Sequence, residues 1–300
     1  MIKIITDDGA DLPLEIVKKY NIEIFPIAVI ANDKEHFIGK NINSDEMYSN
    51  MRKGIVYRTS QVTRAYMLEK FESYLKEGLE IIYLSLSSGI SGTYETALSV
   101  QVELLEKYPD GKLFIIDSKS ATMGQGMITI RAAMLNEEGR TLEEIVKSLE
   151  DIVENQIHLF TVGDLEYLYR GGRLSKTSQI IGGLLNIMPI LYIERDRGKI
   201  ESIDKVRGLN AFLKKVSEWS NKLSKDGKFN PNQTIVLCHG DWEEVALKTK
   251  DFFVKDMGVK EENVIISNLG CVIGAHTGPE AITIFFSANP KEIPYLSISN

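Results

Sequence analysis

The chain has 300 residues, of which 43% are hydrophobic and 26% charged, and this suits a globular protein of one large or two ordinary domains. Its formal net charge of −7 disfavours a nucleic-acid-binding protein, which would need a basic face. Two cysteines, Cys238 and Cys271, provide neither a disulfide framework nor a CxxC metal site. We expect a cytoplasmic protein without stable membrane insertion, because the sequence shows no secretory signal and no apolar run of membrane length.

Strand-like and helix-like segments alternate through the first half of the chain. The predicted strands are IKIITD, IEIFPIAVI, EIIYLSL and KLFIIDS, and Pro26 makes the second an edge or bulged strand. The predicted helices are LPLEIVKKYN, NSDEMYSNMRKG, RAYMLEKFESYLKEG, TYETALSVQVELLEKYP and QGMITIRAAMLNEEG. Repeated βα units predict a parallel sheet, and ligands of such sheets bind outside the carboxyl ends of the strands.

The pattern changes after the helix LEEIVKSLEDIVENQ. Strand-like segments follow at IHLFTVGD, MPILYIE, GKIESIDKVR, QTIVLCHG, NVIISNLG and AITIFFS, with helices at GLNAFLKKVSEWSNKL and WEEVALKTKDFFVKDM. The turn RDRGK between two strands predicts a hairpin. We therefore predict two α/β domains, a parallel-sheet domain of residues 1–156 and a mixed-sheet domain of residues 157–300.

A turn of serine and glycine follows the third predicted strand, in LSLSSGISGTYETA at residues 84–97. A strand end, a small-residue turn and a helix N-terminus together present N–H groups and hydroxyls to an anion. The turn is not a nucleophile elbow, because Thr93 stands where the second glycine is required. The P-loop and Rossmann motifs are also absent. Simple capping of the following helix is the alternative.

Three further stretches carry polar or basic side chains. RTSQVT, residues 58–63, supplies the hydroxyls of Thr59 and Ser60 just before a helix. DLEYLYRGGRLSK places Arg170 and Arg173 around two glycines, in an anion site or in a solvated turn. LGCVIGAHTGPEA predicts a glycine-rich loop that contains His276. The histidines show no metal-ligand spacing, so we expect no metal; they are His36, His158, His239 and His276.

Eight stretches together resemble the DegV family of bacterial fatty-acid-binding proteins, over nearly the whole chain. They are ITDDGADLP, TSQVT, LSSGISGTYETA, IDSKSATMGQG, LYRGGRLSK, GLLNIMPIL, GKIESIDKVRG and GCVIGAHTGPEA, in that order. The resemblance implies a two-domain α/β fold with a long-chain fatty acid buried between the domains and no cofactor. It also implies a non-catalytic protein that presents the acid to a separate fatty acid kinase, which forms an acyl phosphate for phospholipid synthesis.

The same resemblance suggests the ligand-binding residues. By motif position, Thr59, Ser60 and Ser91 should meet the fatty acid carboxylate, and His276 should complete the hydrogen-bond network. Arg207, in KVRG, resembles the family's kinase-contacting surface residue, and Arg170 and Arg173 are further candidates for partner contact.

This sequence also departs from the family pattern. Asp8, Val62 and Glu280 stand where the family commonly has Ser, Pro and Gly, and the basic stretch after Arg207 is replaced by Gly-Leu-Asn.

The chemistry of a fatty acid suits these residues. Each buried methylene contributes about 0.8 kcal/mol, so a tail of ~16 carbons gains on the order of 10 kcal/mol before ordering costs. Hydroxyls and a helix N-terminus replace the water of the carboxylate without a full opposing charge. The stretch IIGGLLNIMPILYI, residues 180–193, is a candidate wall for the tail, as are Phe25, Ile27 and Val29.

Two alternatives remain at this point. One is an acyl hydrolase or transferase in which Ser91 is the nucleophile and His276 the base, although no third, orienting group is evident. The other is a regulatory protein that senses lipid and binds a second protein. The sequence leaves the preferred chain length and the oligomeric state open.

Overall fold

The computed structural model of the chain describes residues 1–174 and 187–290. Within these residues the strands are β1 (Ile2–Asp7), β2 (Glu23–Phe25), β3 (Val29–Ala31), β4 (Lys34–His36), β5 (Arg58–Thr59), β6 (Glu80–Ser85), β7 (Leu113–Asp117), β8 (Gln156–Val162), β9 (Ile187–Ile193), β10 (Ile200–Arg207), β11 (Ile235–His239), β12 (Val264–Asn268) and β13 (Ala281–Ser287). The α-helices are α1 (Leu14–Lys19), α2 (Ser44–Arg52), α3 (Arg64–Lys76), α4 (Thr93–Lys107), α5 (Met123–Glu137), α6 (Leu142–Asn155), α7 (Glu166–Gly171), α8 (Leu209–Leu223), α9 (Glu243–Lys255) and α10 (Cys271–Thr277).

The first half of the chain forms a parallel sheet with the strand order β2-β1-β6-β7. β1 pairs with β6 from Ile2 opposite Glu80 to Thr6 opposite Leu84. The helix pairs α3–α4 and α5–α6 pack against the strands, as expected for βα units. The predicted parallel sheet is therefore confirmed, and Asp7, Ser85 and Asp117 mark the carboxyl ends of three of its strands.

The second predicted strand is divided in the structure. β2 belongs to the parallel sheet, whereas β3 joins a separate antiparallel sheet with the order β4-β3-β5. Pro26 lies between β2 and β3, and proline interrupts a hydrogen-bonded ladder because it lacks an N–H group. Sequence patterning missed β4 and β5, which are too short to show alternation. This small sheet pairs Thr59 with Val29.

The second half of the chain forms a mixed sheet with the strand order β10-β9-β8-β13-β11-β12, in which β11 and β12 are the parallel pair. The predicted RDRGK hairpin joins β9 and β10, with Ile193 opposite Ile200. Helices α8 and α9 contribute Phe212 and Phe253 to a core on one face of this sheet. The opposite face, which includes Phe160 and Phe285, packs into the core of the N-terminal half.

The chain passes from the first sheet to the second where α6 ends at Asn155 and β8 begins at Gln156. One hydrophobic core nevertheless continues across this junction, so the division into domains at residue 156 stays a prediction. In the part of the chain that the structure describes, no helix is both long and apolar enough to cross a lipid bilayer.

Candidate functional site

A cavity lies between the two sheets, beyond the carboxyl ends of the parallel strands. It contains about 570 Å³ of space between atoms, part of which is open to solvent. Ile27, Leu86 and Ala121 reach it from the segments that follow β2, β6 and β7. Its opposite wall includes Phe160 and Ile193 of the mixed sheet. The wall is mostly apolar, and the cavity occupies the position expected for a ligand of a parallel sheet.

The four carboxylate-site residues predicted from sequence all line this cavity; they are Thr59, Ser60, Ser91 and His276. Thr59 is the last residue of β5, and its Oγ1 lies 2.7 Å from Nε2 of His276, within hydrogen-bonding distance. These two residues are 217 positions apart in the chain. The fold therefore brings the TSQVT and GAHTGP motifs into direct contact.

The structure corrects the predicted conformation around His276. The glycine-rich stretch forms the helix α10 rather than a loop, with Gly270 as the N-cap and Gly278 as the C-cap. The flanking glycines delimit a short helix, which the sequence pattern did not distinguish from a loop. Burial, with a smaller contribution from the positive charge of Arg173, lowers the pKa of His276 to about 4. The imidazole is therefore neutral at pH 7 and has one N–H donor and one acceptor nitrogen.

The two serine hydroxyls are oriented by local hydrogen bonds. Ser91 Oγ donates to Thr93 Oγ1 at 2.9 Å and accepts from the Thr93 amide at 3.2 Å, at the N-terminus of α4. Ser60 Oγ donates to the Gln61 carbonyl at 3.1 Å and accepts from the Ala28 amide at 3.3 Å. The predicted combination of a strand end, a small-residue turn and a helix N-terminus is thus present beside the cavity.

A nucleophile and its base should share a hydrogen bond. Ser91 instead bonds to Thr93, while His276 bonds to Thr59. The hydrogen bonds of the described residues thus contain no Ser91–His276 pair of the kind that a serine hydrolase uses.

The three arginines predicted from sequence lie in different environments. Arg173 lines the cavity, and its Nε donates to the Ile90 carbonyl at 2.9 Å, which connects the end of α7 to the serine-glycine turn. Burial lowers the pKa of this guanidinium from its ordinary value. Arg170 lies over the Tyr167 ring, on the partly exposed side of α7. Arg207 is exposed at the end of β10. Contact with a partner stays a prediction for all three.

Several cavity residues were not identified from the sequence, among them His158, Phe160 and Thr283. His158 and Phe160 alternate along β8 and face the same side, but nothing in a single buried strand indicates that a ligand lies against it. Of the residues suggested for the tail, Ile27 and Ile193 line the cavity, whereas Phe25 packs in an aromatic cluster with Phe71 and Tyr83.

Two other features predicted from sequence can be located. Val29 is buried in the core of the N-terminal half, and residues 180–186 of the suggested tail wall lie outside the described residues. Across residues 1–174 and 187–290, no three His, Cys, Asp or Glu side chains form a group that could hold a metal ion.

Comparison with known proteins identifies the family. The sequence model of the DegV family, described as an uncharacterised protein family, matches residues 1–289. A DegV domain-containing protein of Clostridium perfringens is 37% identical over 292 residues, which cover 96% of this chain and 98% of the relative. Another from Caldanaerobacter subterraneus subsp. tengcongensis is 33% identical over 285 residues and covers 95% and 98% of the two chains.

Solved structures share the whole fold. The fatty-acid-binding DegV family protein of Streptococcus agalactiae superimposes with a TM-score of 0.83 at 27% identity, covering 96% of this chain and 98% of its own. The stearic-acid-binding protein of Eubacterium ventriosum superimposes with a TM-score of 0.81 at 26% identity and the same coverage. The solved structures share the fold of the two sheets, and the match of the family model and of the sequence relatives shows that the chain belongs to the DegV family.

Proposed function

We propose that this protein binds one long-chain fatty acid in the cavity between its two sheets. The carboxylate lies against the hydroxyls of Thr59, Ser60 and Ser91 and the imidazole of His276, and the tail occupies the apolar remainder. The observation that carries the proposal is that these four residues, from three distant parts of the sequence, line one mostly apolar cavity. The relatives described as fatty-acid-binding and stearic-acid-binding support the same ligand class.

The energetics of the cavity favour such a ligand. Burial of the methylenes provides most of the favourable free energy, at roughly 0.8 kcal/mol each. The carboxylate costs several kcal/mol to desolvate unless hydrogen bonds replace its water. Serine and threonine hydroxyls, a neutral histidine and the N-terminus of α4 provide such hydrogen bonds.

The second part of the proposal is that the bound acid is presented to a fatty acid kinase for acyl-phosphate formation, and that the protein itself is non-catalytic. Neutral donors support this, because they leave a carboxylate oxygen less strongly held than an arginine pair would. The exposed Arg207 is the proposed point of kinase contact. A cytoplasmic location and the division into domains 1–156 and 157–300, with the ligand between them, belong to the same proposal.

Extraction of the purified protein tests the ligand directly. Protein expressed in a bacterial host should release a long-chain fatty acid on organic extraction, in a ratio of about one acid per chain, as measured by mass spectrometry. Delipidated protein should take up stearic acid again. A protein that yields no acyl chain and takes up none would refute the proposal.

The kinase step needs its own assay. A fatty acid kinase should produce acyl phosphate from stearic acid only when the loaded protein is present. Arg207→Ala should lower this rate while stearic acid binding stays unchanged, whereas Lys222→Ala, on the surface of α8, should alter neither. Stearic acid binding without acyl-phosphate formation would instead favour a lipid-sensing regulator.

A further inference from the structure

A polar pair interrupts the apolar wall that the mixed sheet contributes to the cavity. His158 of β8 and Thr283 of β13 both line the cavity, and both are nearly fully buried, with 4% and 2% of their surface exposed. Thr283 pairs with Phe160, so it lies diagonally across from His158 on the same face of the sheet. Each already has one hydrogen-bond partner in the protein, Ser120 for His158 and Cys238 for Thr283, so the question is what the second polar site of each can bind.

The hydrogen bonds of His158 show which of its groups is free. Nδ1 lies 3.3 Å from Ser120 Oγ, and in the part of the chain that the structure describes Nε2 has no partner. Two phenylalanine rings flank the imidazole, with Phe285 4.3 Å and Phe160 5.4 Å away between ring centroids. Burial lowers the pKa of His158 to about 3, so the ring is neutral and carries a single N–H.

The position of that hydrogen follows from Ser120. The Ser120 hydroxyl lies 3.3 Å from His158 Nδ1, and it has no other hydrogen-bond partner among the described residues. If that hydroxyl donates to Nδ1, the histidine hydrogen is on Nε2. The opposite tautomer would leave the buried serine O–H without an acceptor, at a cost of a lost hydrogen bond. Nε2 therefore offers a donor that no group within residues 1–174 and 187–290 uses.

Thr283 offers the complementary group. Its hydroxyl donates to the Cys238 carbonyl at 3.3 Å, so the hydrogen is committed and a lone pair of Oγ1 remains as an acceptor. A ligand hydroxyl placed between the two residues would accept from His158 Nε2 and donate to Thr283 Oγ1. A saturated hydrocarbon would leave this second polar site of each residue unused.

We propose that His158 and Thr283 form a second, polar subsite along the tail, and that the preferred ligand is a long-chain fatty acid with a hydroxyl group within its chain. This inference rests on the proposed fatty acid binding. It adds a substrate class that a purely apolar tail site would not select, since a hydroxyl loses its water on entering an apolar channel.

The test compares stearic acid with a series of monohydroxystearic acids in which the hydroxyl is moved along the chain. Dissociation constants are measured for delipidated wild-type protein, His158→Phe and Thr283→Val. The wild type should bind one isomer about tenfold more tightly than stearic acid. Each substitution should remove most of that preference while stearic acid still binds. Ser91→Ala is the control, because it should weaken all the acids alike and leave the preference intact.

The outcomes separate the two proposals. If the wild type binds stearic acid as well as or better than every hydroxylated isomer, the polar subsite is refuted and the fatty acid site stands. A preference that persists unchanged in both His158→Phe and Thr283→Val would also refute the subsite. Absence of binding for every acid, stearic acid included, would refute the proposed function itself.

Discussion

At the scale of single residues, the site uses buried groups whose charge is suppressed. His276 and His158 are neutral because burial lowers their pKa values to about 4 and about 3. Near the same sheet edge, burial raises the pKa of Asp8 and of Asp11 to about 7. The two histidines that line the cavity are therefore neutral and Arg173 is a charged lining residue, so most of the described polar groups around a bound carboxylate are neutral donors.

Ser91→Ala removes one of these hydroxyls. We expect stearic acid binding to weaken by about 1–3 kcal/mol, because a buried carboxylate oxygen loses a donor. Titration calorimetry of the delipidated protein measures the change. Ser88→Ala is the matched control, since Ser88 lies in the same turn but bonds to Asp117 rather than lining the cavity. Equal dissociation constants for wild type and Ser91→Ala would remove Ser91 from the site.

The raised pKa of Asp8 predicts that the free energy of unfolding depends on pH. Its pKa is about 7 in the folded chain against 3.8 ordinarily, so between these values the folded state holds a proton that the unfolded chain has lost. Stability from this residue therefore falls as the pH rises from about 4 to 7. The lowered pKa values of His158 and His276 make stability rise with pH instead. The free energy of unfolding must therefore be compared between a variant of Asp8 and wild type at each pH, because the contribution of the histidines is common to both.

The free energy of unfolding of Asp8→Asn should accordingly increase, relative to that of wild type, as the pH rises from 5 to about 8. Urea unfolding at several pH values measures this difference. Asp110→Asn, at an exposed turn, is the control for the same substitution at the surface. A difference between Asp8→Asn and wild type that does not change with pH would contradict a raised pKa of Asp8.

At the scale of elements, α10 determines where His276 lies. It packs on α2 through Gly274, where an added Cβ would lie 2.4 Å from Tyr48 Oη and 2.8 Å from Met47 Cε. Tyr48 in turn donates to the Leu269 carbonyl at 2.8 Å, just before α10. The N-terminal end of α10 is held by Asp11, which accepts from the Gly270 amide. The helix is thus fixed at its start and along one side.

Gly274→Ala should displace α10 from α2. The overpacking should lower the free energy of unfolding by about 1–3 kcal/mol and also weaken stearic acid binding, because His276 moves relative to Thr59. Denaturant unfolding and calorimetry measure the two effects. Adding Tyr48→Phe removes the nearest atom and should recover part of the packing loss. Wild-type stability and affinity in Gly274→Ala would show that the helices have room for the methyl group.

At the scale of the whole molecule, hydrogen bonds connect the β9–β10 hairpin to the parallel-sheet half of the chain beside the cavity. Ser87 Oγ donates to the Gly198 carbonyl at 2.8 Å, and Lys119 Nζ donates to the Asp196 carbonyl at 3.0 Å. Gly198 has a φ of +62°, and a Cβ there would lie 2.1 Å from Ser87 Oγ. The two halves therefore meet closely at the serine-glycine turn.

Gly198→Ala tests this contact. It should weaken the attachment of the hairpin and speed the dissociation of bound stearic acid, measured by exchange into an excess of lipid vesicles. Gly227→Ala is the matched control, because Gly227 has a similar φ of +67° but no atom within 4 Å of an added Cβ. The Gly227→Ala variant therefore measures only the effect of placing alanine at a positive φ. Equal dissociation rates in the two variants would show that the hairpin does not restrain the ligand.

The sequence by itself determined the local structure and the chemistry of the motifs. Periodicity and glycine or proline signals located the βα units, the mixed sheet and the hairpin, because these depend on residues close together in the chain. The resemblance to a known family also predicted Thr59, Ser60, Ser91 and His276 as carboxylate ligands, and all four line the cavity. Contacts between distant residues carry no such local signal, and the division of the second strand at Pro26 and the helical state of His276 were missed.

Only the tertiary structure decided which of these residues meet. Thr59 and His276 come together through the packing of α10 against the small sheet, and Arg173 turns toward the cavity to bond Ile90. His158 had no motif, and in sequence it resembles any histidine in a buried strand. Its proposed role depends on an Nε2 atom without a hydrogen-bond partner among the described residues, beside a cavity that forms where two separately specified sheets pack together.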